Sequence, residues 1–155
     1  MKERPTERKY VRCIFFSYLL IVIRLIIFKY PYGQLREIMG SWSKEVITLG
    51  LHSANFIPFK TIRMYIDYSY MLNSFENLVG NVMIFVPFGF LLPMVFEKKK
   101  SFFPMMLLSF AFVLGIEIFQ LVSGFGAFDV DDILLNCLGA VMGYLIYYVY
   151  EKIKM

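Results

Sequence analysis

Four apolar runs, each about as long as a lipid bilayer is thick, constrain the fold of this 155-residue chain more than any other feature. An α-helix needs ~20 apolar residues to cross the hydrocarbon core. Because backbone groups in lipid must bond within their own segment, runs of this length are helical. The sequence therefore predicts an all-α, polytopic integral membrane helix bundle of about four transmembrane helices, at residues 11–28, 77–96, 102–122 and 133–150.

Composition supports a single membrane domain covering residues 1–155. The chain is 59% hydrophobic and 18% charged, which leaves too few polar residues to cover a water-soluble domain. Its net charge of +4 comes from basic residues that flank the apolar runs and do not form a stripe among exposed aromatics. This distribution argues against a nucleic-acid partner and indicates membrane orientation.

The segment between the first two runs, residues 29–76, mixes charged and apolar residues and is predicted to be an extracytoplasmic loop. Within it, the apolar run 46–59 is too short for a full span and contains Gly50, Asn55 and Pro58, which break regular structure. We therefore expect an interfacial or re-entrant segment here, in addition to the four spans.

The distribution of Lys and Arg predicts the orientation. Five basic residues lie within residues 1–12, three lie in the loop 97–100 and two follow the last span. The loop 123–132 has none, and the five in the long loop are nearly offset by four acids. By the positive-inside rule, we expect the N- and C-termini to face the cytoplasm.

This orientation brings the polar residues of the apolar runs to one level, the outer leaflet. They lie at the start of the second and fourth spans and at the end of the third, whereas incidental polar residues would be scattered along the spans. Ionisable groups near lipid are costly and indicate a function. The predicted ligand-binding residues are Asn77, Asn81, Glu117, Gln120, Asp129, Asp132 and Asn136.

One face of the fourth span carries both polar and small residues. Asp132, Asn136, Gly139 and Gly143 follow each other at helical spacing. The two glycines favour close packing with another helix. We expect the polar end of this stripe to face that helix or a cavity.

Three chemical interpretations of the acids remain open at this stage. Asp129, Asp131 and Asp132 suit the start of a helix, where a carboxylate accepts free backbone N–H groups. Clustered oxygens also suit a hard cation, although no complete ligand signature is present, so we assign no metal ligand and no cofactor. A pair of carboxylates also suits general acid–base catalysis, for which the candidates are Asp131, Asp132 and Glu117.

Several short motifs together resemble the VanZ-like family of small multi-span membrane proteins. The matching pieces are Asn-Phe-Ile-Pro-Phe at 55–59 followed by Lys-Thr-Ile, Asn-Leu-Val-Gly-Asn at 77–81 running into Phe-Val-Pro-Phe-Gly at 85–89, Glu117 with Gln120, and Phe-Asp-Val-Asp-Asp at 128–132 with Asn136, Gly139 and Gly143.

The founding member of that family is associated with resistance to the glycopeptide antibiotic teicoplanin. The resemblance implies a multi-pass protein of a bacterial cell membrane, part of the cell envelope, that binds a membrane lipid, a lipid-linked cell-wall intermediate or a lipophilic glycopeptide antibiotic at the outer leaflet. Two other functions are compatible with the residues. One is an intramembrane acid–base or metal-dependent enzyme acting on a lipid head group. The other is a structural or assembly partner within a homo- or hetero-oligomer.

Overall fold

The computed structural model describes residues 5–26, 31–68, 74–96 and 101–154. The predicted basic loop 97–100, the end of the first predicted span at 27–28 and residues 69–73 of the long loop lie outside these ranges. The described residues form seven helices and no strand. The helices are α1 (Pro5–Ile26), α2 (Tyr32–Gly40), α3 (Lys44–Ser53), α4 (Lys60–Asp67), α5 (Ser74–Val95), α6 (Phe102–Ser123) and α7 (Val130–Lys154).

Helices α5, α6 and α7 confirm the predicted helical membrane bundle. Each is long and apolar enough to cross a membrane, and a third to two fifths of each apolar stretch is buried inside the protein. Their bounds differ from the predicted spans by only a few residues. Helix α1 is as long, with 22 residues, but carries Lys9, Arg12 and Arg24 and is not among these three. Its assignment as a fourth span stays a prediction.

The closest helix pair is α5 with α7, and glycines make that approach possible. A Cβ atom at Gly139 would lie 2.0 Å from the carbonyl oxygen of Val82, and one at Gly143 would lie 1.9 Å from that of Val86. Gly89 of α5 approaches the backbone of α7 equally closely. Contacts advance in the same direction along both helices, so α5 and α7 run parallel. The stripe of small residues thus serves packing within the chain.

Helix α1 covers the opposite side of α5 through aromatic and aliphatic side chains. Phe15 is buried against Phe88, with ring centroids 5.8 Å apart. One turn further, the hydroxyl of Tyr18 donates a hydrogen bond to the Ile84 carbonyl oxygen at 2.5 Å, and Val22 is fully buried. The core therefore lies along α5, with α1 on one side and α7 on another.

The short helices α2, α3 and α4 form a segment, residues 31–68, that lies against the end of the bundle where α5 and α7 begin and α6 ends. Gly50 of α3 packs on Leu121 of α6, and α4 contacts both α5 and α7. None of the three short helices contains a buried residue. The predicted segment 46–59 is thus a short helix that ends at Ser53, followed by irregular chain.

We predict that Gly139→Ala lowers the thermal stability of the protein in detergent micelles. The added methyl group would collide with the α5 backbone, and overpacking of this kind costs ~1–3 kcal/mol. Gly115→Ala in α6 is the matched control, because a Cβ there meets nothing within 4 Å. Alanine is also the better helix former, so the control should be neutral or slightly stabilising. Equal melting temperatures for the two variants would contradict the packing described.

Candidate functional site

A short parallel β-bridge joins the segment before α4 to the start of α7. It pairs Asn55 with Asp129, which lies 74 positions later in the chain. The Asn55 amide N–H donates to the Phe128 carbonyl oxygen at 2.8 Å, and the Val130 N–H donates to the Asn55 carbonyl oxygen at 3.0 Å. The Asn55 side chain, which is 8% exposed, donates to Asp129 Oδ1 at 2.8 Å. Residues 55–61 are thereby fixed over the acidic turn, residues 128–132.

Asp131 is fully buried and holds the start of α4. Its Oδ1 accepts the Phe59 N–H at 2.5 Å, and its Oδ2 accepts the N–H groups of Thr61 and Ile62 at 2.7 and 3.1 Å. The first backbone donors of a helix have no partner within the helix, and a carboxylate there is favoured by hydrogen bonding and by the helix dipole. Asp131 begins α7 in sequence but caps α4 in space.

The backbone at Phe59 is strained. This residue has a φ of +66°, and no other non-glycine residue in the described ranges has a positive φ. A left-handed conformation costs a residue with a side chain ~1–2 kcal/mol. The N–H groups of Phe59 and Thr61 both donate to the Asp131 carboxylate, and these hydrogen bonds offset the cost of the left-handed conformation.

Asp129 caps its own helix. Its Oδ1 accepts the Asp131 N–H at 2.8 Å, two residues further into α7, and its Oδ2 accepts the hydroxyl of Thr61 at 2.5 Å. This is the geometry of a helix N-cap. The capping interpretation therefore holds for Asp129, whereas Asp131 acts on a different helix.

Glu117 and Gln120, near the end of α6, support the loop before α7. Glu117 is 1% exposed, and its Oε2 accepts the Asp129 N–H at 2.9 Å. Gln120 is buried against Gly126, where a Cβ would lie 2.9 Å from the Gln120 Cδ. Both residues contact loop backbone, so they position the acidic turn.

Three other predicted residues, Asn77, Asn81 and Asp132, form a second group together with Tyr65, and this group is here called the polar cluster. Asn81 Nδ2 donates to Asp132 Oδ1 at 2.7 Å, which joins α5 to α7, and Asn77 Nδ2 lies 3.4 Å from the Tyr65 hydroxyl. Burial, followed by the negative charges of Asp132 and Asp129, raises the pKa of the Tyr65 phenol. The phenol thus stays protonated beside carboxylates and is available as a hydrogen-bond donor.

Asn136 lies one helical turn beyond Asp132 and is 2% exposed. Its Oδ1 has no hydrogen-bond partner within the described part of the chain. An unsatisfied buried acceptor costs ~1–3 kcal/mol. The predicted stripe therefore does face α5, and its polar end reaches into the interface that Gly139 and Gly143 close.

The geometry separates the three catalytic candidates. Asp131 and Glu117 are buried and accept backbone N–H groups, which is a positioning role. Asp132 is half-buried and contacts a side chain of another helix, so it is the candidate best placed to meet a ligand. No group of three or more His, Cys, Asp or Glu side chains in the described ranges is arranged to hold a metal ion.

Three residues of this region were not assigned a role from the sequence: Asn55, Thr61 and Tyr65. Asn55 and Thr61 fall within the motif at 55–62 that carries the family resemblance, and this motif is the sequence feature that could have identified them as site residues. Tyr65 follows Thr61 by one helical turn on α4 and shares its face. No spacing rule connects α4 with α7, so only the structure brings these residues to the acids.

Comparisons with known proteins agree with one another. A family model described as VanZ/LLP1 matches residues 15–151. The chain is similar to Protein VanZ of Enterococcus faecium, with 32% identity over an alignment of 134 residues that covers 84% of this chain and 68% of that protein. No solved structure matches the chain. All the candidate site residues lie within the range matched by the family model.

We predict that Asp131→Asn destabilises the protein and loosens residues 54–60. An amide offers one acceptor oxygen and turns an NH₂ donor toward the remaining N–H groups, and each unsatisfied buried donor costs ~1–3 kcal/mol. Thermal unfolding and limited proteolysis would measure the effect. Asp67→Asn, an exposed change on the same helix α4, is the control and should behave as wild type. Wild-type stability and protease resistance in Asp131→Asn would refute its capping role.

Proposed function

The chain belongs to the VanZ/LLP1 family, and we propose from this membership that it lowers the susceptibility of a bacterium to teicoplanin-type antibiotics. The membership also confirms the resemblance drawn from the sequence motifs. It is a membrane protein with three apolar helices of spanning length. The proposed activity is binding, at the outer leaflet, of a lipophilic glycopeptide or of the lipid-linked cell-wall intermediate that such an antibiotic recognises.

The observation that carries this proposal is the position of the polar cluster. Asn77, Asn81, Asp132 and Tyr65 meet where three apolar helices end or begin, so hydrogen-bonding groups adjoin an apolar surface. A glycopeptide with an acyl tail, or a lipid-linked intermediate, combines a polar body with an apolar chain. Sites for such molecules pair apolar walls with a few convergent polar groups.

An apolar pocket at the end of the bundle that carries the polar cluster supports the same proposal. It has a volume of about 410 Å³ and lies between the α2–α3 segment and the end of α6, with Trp42, Phe119 and Val122 in its lining. The Trp42 indole N–H donates to the Val122 carbonyl oxygen at 2.8 Å, so the ring is held in place at the pocket wall. The pocket has the apolar character that an acyl chain requires.

The enzyme alternative now depends on Asp132, because Asp131 and Glu117 accept backbone donors. In this alternative Asp132 is a general base for a reaction on a lipid head group, next to the Tyr65 phenol. The assembly-partner alternative is less favoured, because α5 of the same chain occupies the face of Gly139 and Gly143.

We predict that expression of the chain in a teicoplanin-susceptible Gram-positive host raises the inhibitory concentration of teicoplanin, and that Asp132→Asn removes this protection. Loss of a hydrogen bond to a charged group weakens binding by about tenfold or more. Glu45→Gln, an exposed change on α3, is the control and should retain protection. Protein levels and melting temperatures of both variants are measured alongside.

The same strains separate binding from catalysis. A binder gives saturable binding of teicoplanin or of a lipid-linked cell-wall intermediate to the purified protein, with the ligand recovered at unchanged mass. A recovered lipid whose mass has changed, in wild type but not in Asp132→Asn, would establish the enzyme instead. Unchanged teicoplanin susceptibility in the expressing strain would contradict the proposed function itself.

We further propose that the polar cluster faces the cell exterior, with both termini in the cytoplasm. After replacement of Cys13 and Cys137, Ala127→Cys should react with a membrane-impermeant maleimide on intact cells, because Ala127 is exposed in the loop before α7. Lys154→Cys, in the C-terminal tail, should react only after permeabilisation. Labelling in the reverse pattern would overturn the orientation.

A further inference from the structure

The surface of α4 carries an open cleft that the proposed function does not use. The cleft, here called the α4 cleft, has a volume of about 450 Å³ and is lined by residues 57–59 and by α4, including Lys60, Arg63, Met64 and Asp67. It lies on the outside of α4, whereas Thr61 and Tyr65 face the acidic turn and the polar cluster.

Two cations in this cleft form no ion pair within the described part of the chain. Lys60 and Arg63 are exposed, lie three residues apart on one side of α4, and have no ion-pair partner among the described residues. The carboxylate of Asp131, at the start of α4, is engaged elsewhere, since it accepts three backbone N–H groups. Asp67 is the one acid in the cleft lining, so the cleft has an excess of positive charge.

Exposed apolar side chains surround the two cations. Ile57 is 63% exposed, Phe59 is 61% exposed and Met64 is 42% exposed. A short amphipathic helix with basic residues beside large apolar ones is typical of a segment lying in the headgroup region of a membrane. The strained Phe59 backbone is fixed by Asp131, so this arrangement is anchored to the bundle and does not depend on α4 alone.

The position of α4 along the bundle places the cleft at headgroup level. The N-terminus of α4 is bonded to Asp131 in the first turn of α7, and α7 is one of the helices of spanning length. The apolar stretch of α7 starts within two residues of that point. Lys60 and Arg63 therefore face the headgroup layer, where the phosphate groups of the lipids lie.

We propose that the α4 cleft binds the phosphate of an anionic phospholipid of the surrounding bilayer. Lys60 and Arg63 donate hydrogen bonds to the phosphate oxygens, and Arg63 presents the fork of donors that suits such a group. Ile57, Phe59 and Met64 contact the upper part of the acyl chains. This proposal is independent of the proposed function, because it involves neither an antibiotic nor a cell-wall intermediate.

The test measures binding of dioleoyl phosphatidylglycerol and dioleoyl phosphatidylcholine to the full chain in detergent micelles by native mass spectrometry. Wild type should prefer phosphatidylglycerol. A basic residue near an anionic lipid contributes about fivefold to binding, so Lys60→Gln with Arg63→Gln should weaken phosphatidylglycerol binding by about 25-fold. Asp67→Asn should strengthen it, because the one acid of the cleft is removed.

The control is Arg36→Gln with Lys44→Gln, which removes the same charge from exposed positions on α2 and α3. It should keep the wild-type preference, and all variants should share the wild-type melting temperature, because these side chains make no buried contact. Three results would overturn the proposal: no lipid preference in wild type, an equal loss in the control, or full competition by inorganic phosphate at the lipid's concentration. The last result would indicate a site for a free anion.

Discussion

The architecture at the functional end of this protein depends on one buried carboxylate. Asp131 lies in the first turn of α7 and accepts three backbone N–H groups from residues 59–62, which ties a separate helix to the bundle. Burial of this carboxyl group is tolerated because both of its oxygens accept hydrogen bonds. The left-handed Phe59, the direction of α4 and the position of Tyr65 all follow from this contact.

The acids that look like one cluster in the sequence have two different roles in the structure. Asp129 and Glu117 hold the turn between α6 and α7, and Asp131 holds the start of α4. Asp132, only one residue further, points to Asn81 on α5 and belongs to a group with side-chain partners. Consecutive residues at the start of a helix point about 100° apart, so adjacent acids face different neighbours. This division separates the residues that shape the site from those suited to contact a ligand.

The spans of α5, α6 and α7 were predictable from the sequence because lipid demands long apolar helices, and that signal is contained within each segment. The stripe from Asp132 to Gly143 was predictable for the same reason, since helix periodicity alone puts it on one face. The partners of Asp131 were not predictable. They are backbone N–H groups, which every residue but proline has, and they come from a segment more than 60 residues earlier in the chain. Tyr65 was missed because its role depends on that same contact.

The bridge between Asn55 and residues 128–130 also has a consequence for biogenesis. Its two sides are separated in the chain by α5 and α6, and one side is the start of the last helix. During synthesis, residues 55–62 emerge early and must wait for the start of α7 before their hydrogen-bond partners there exist. The strained turn at Phe59 therefore forms as a late step of assembly, after the membrane helices are in place. A chain that ends before α7 would lack the groups that bond Asn55, Phe59 and Thr61, so this turn would have nothing to hold its N–H groups in place.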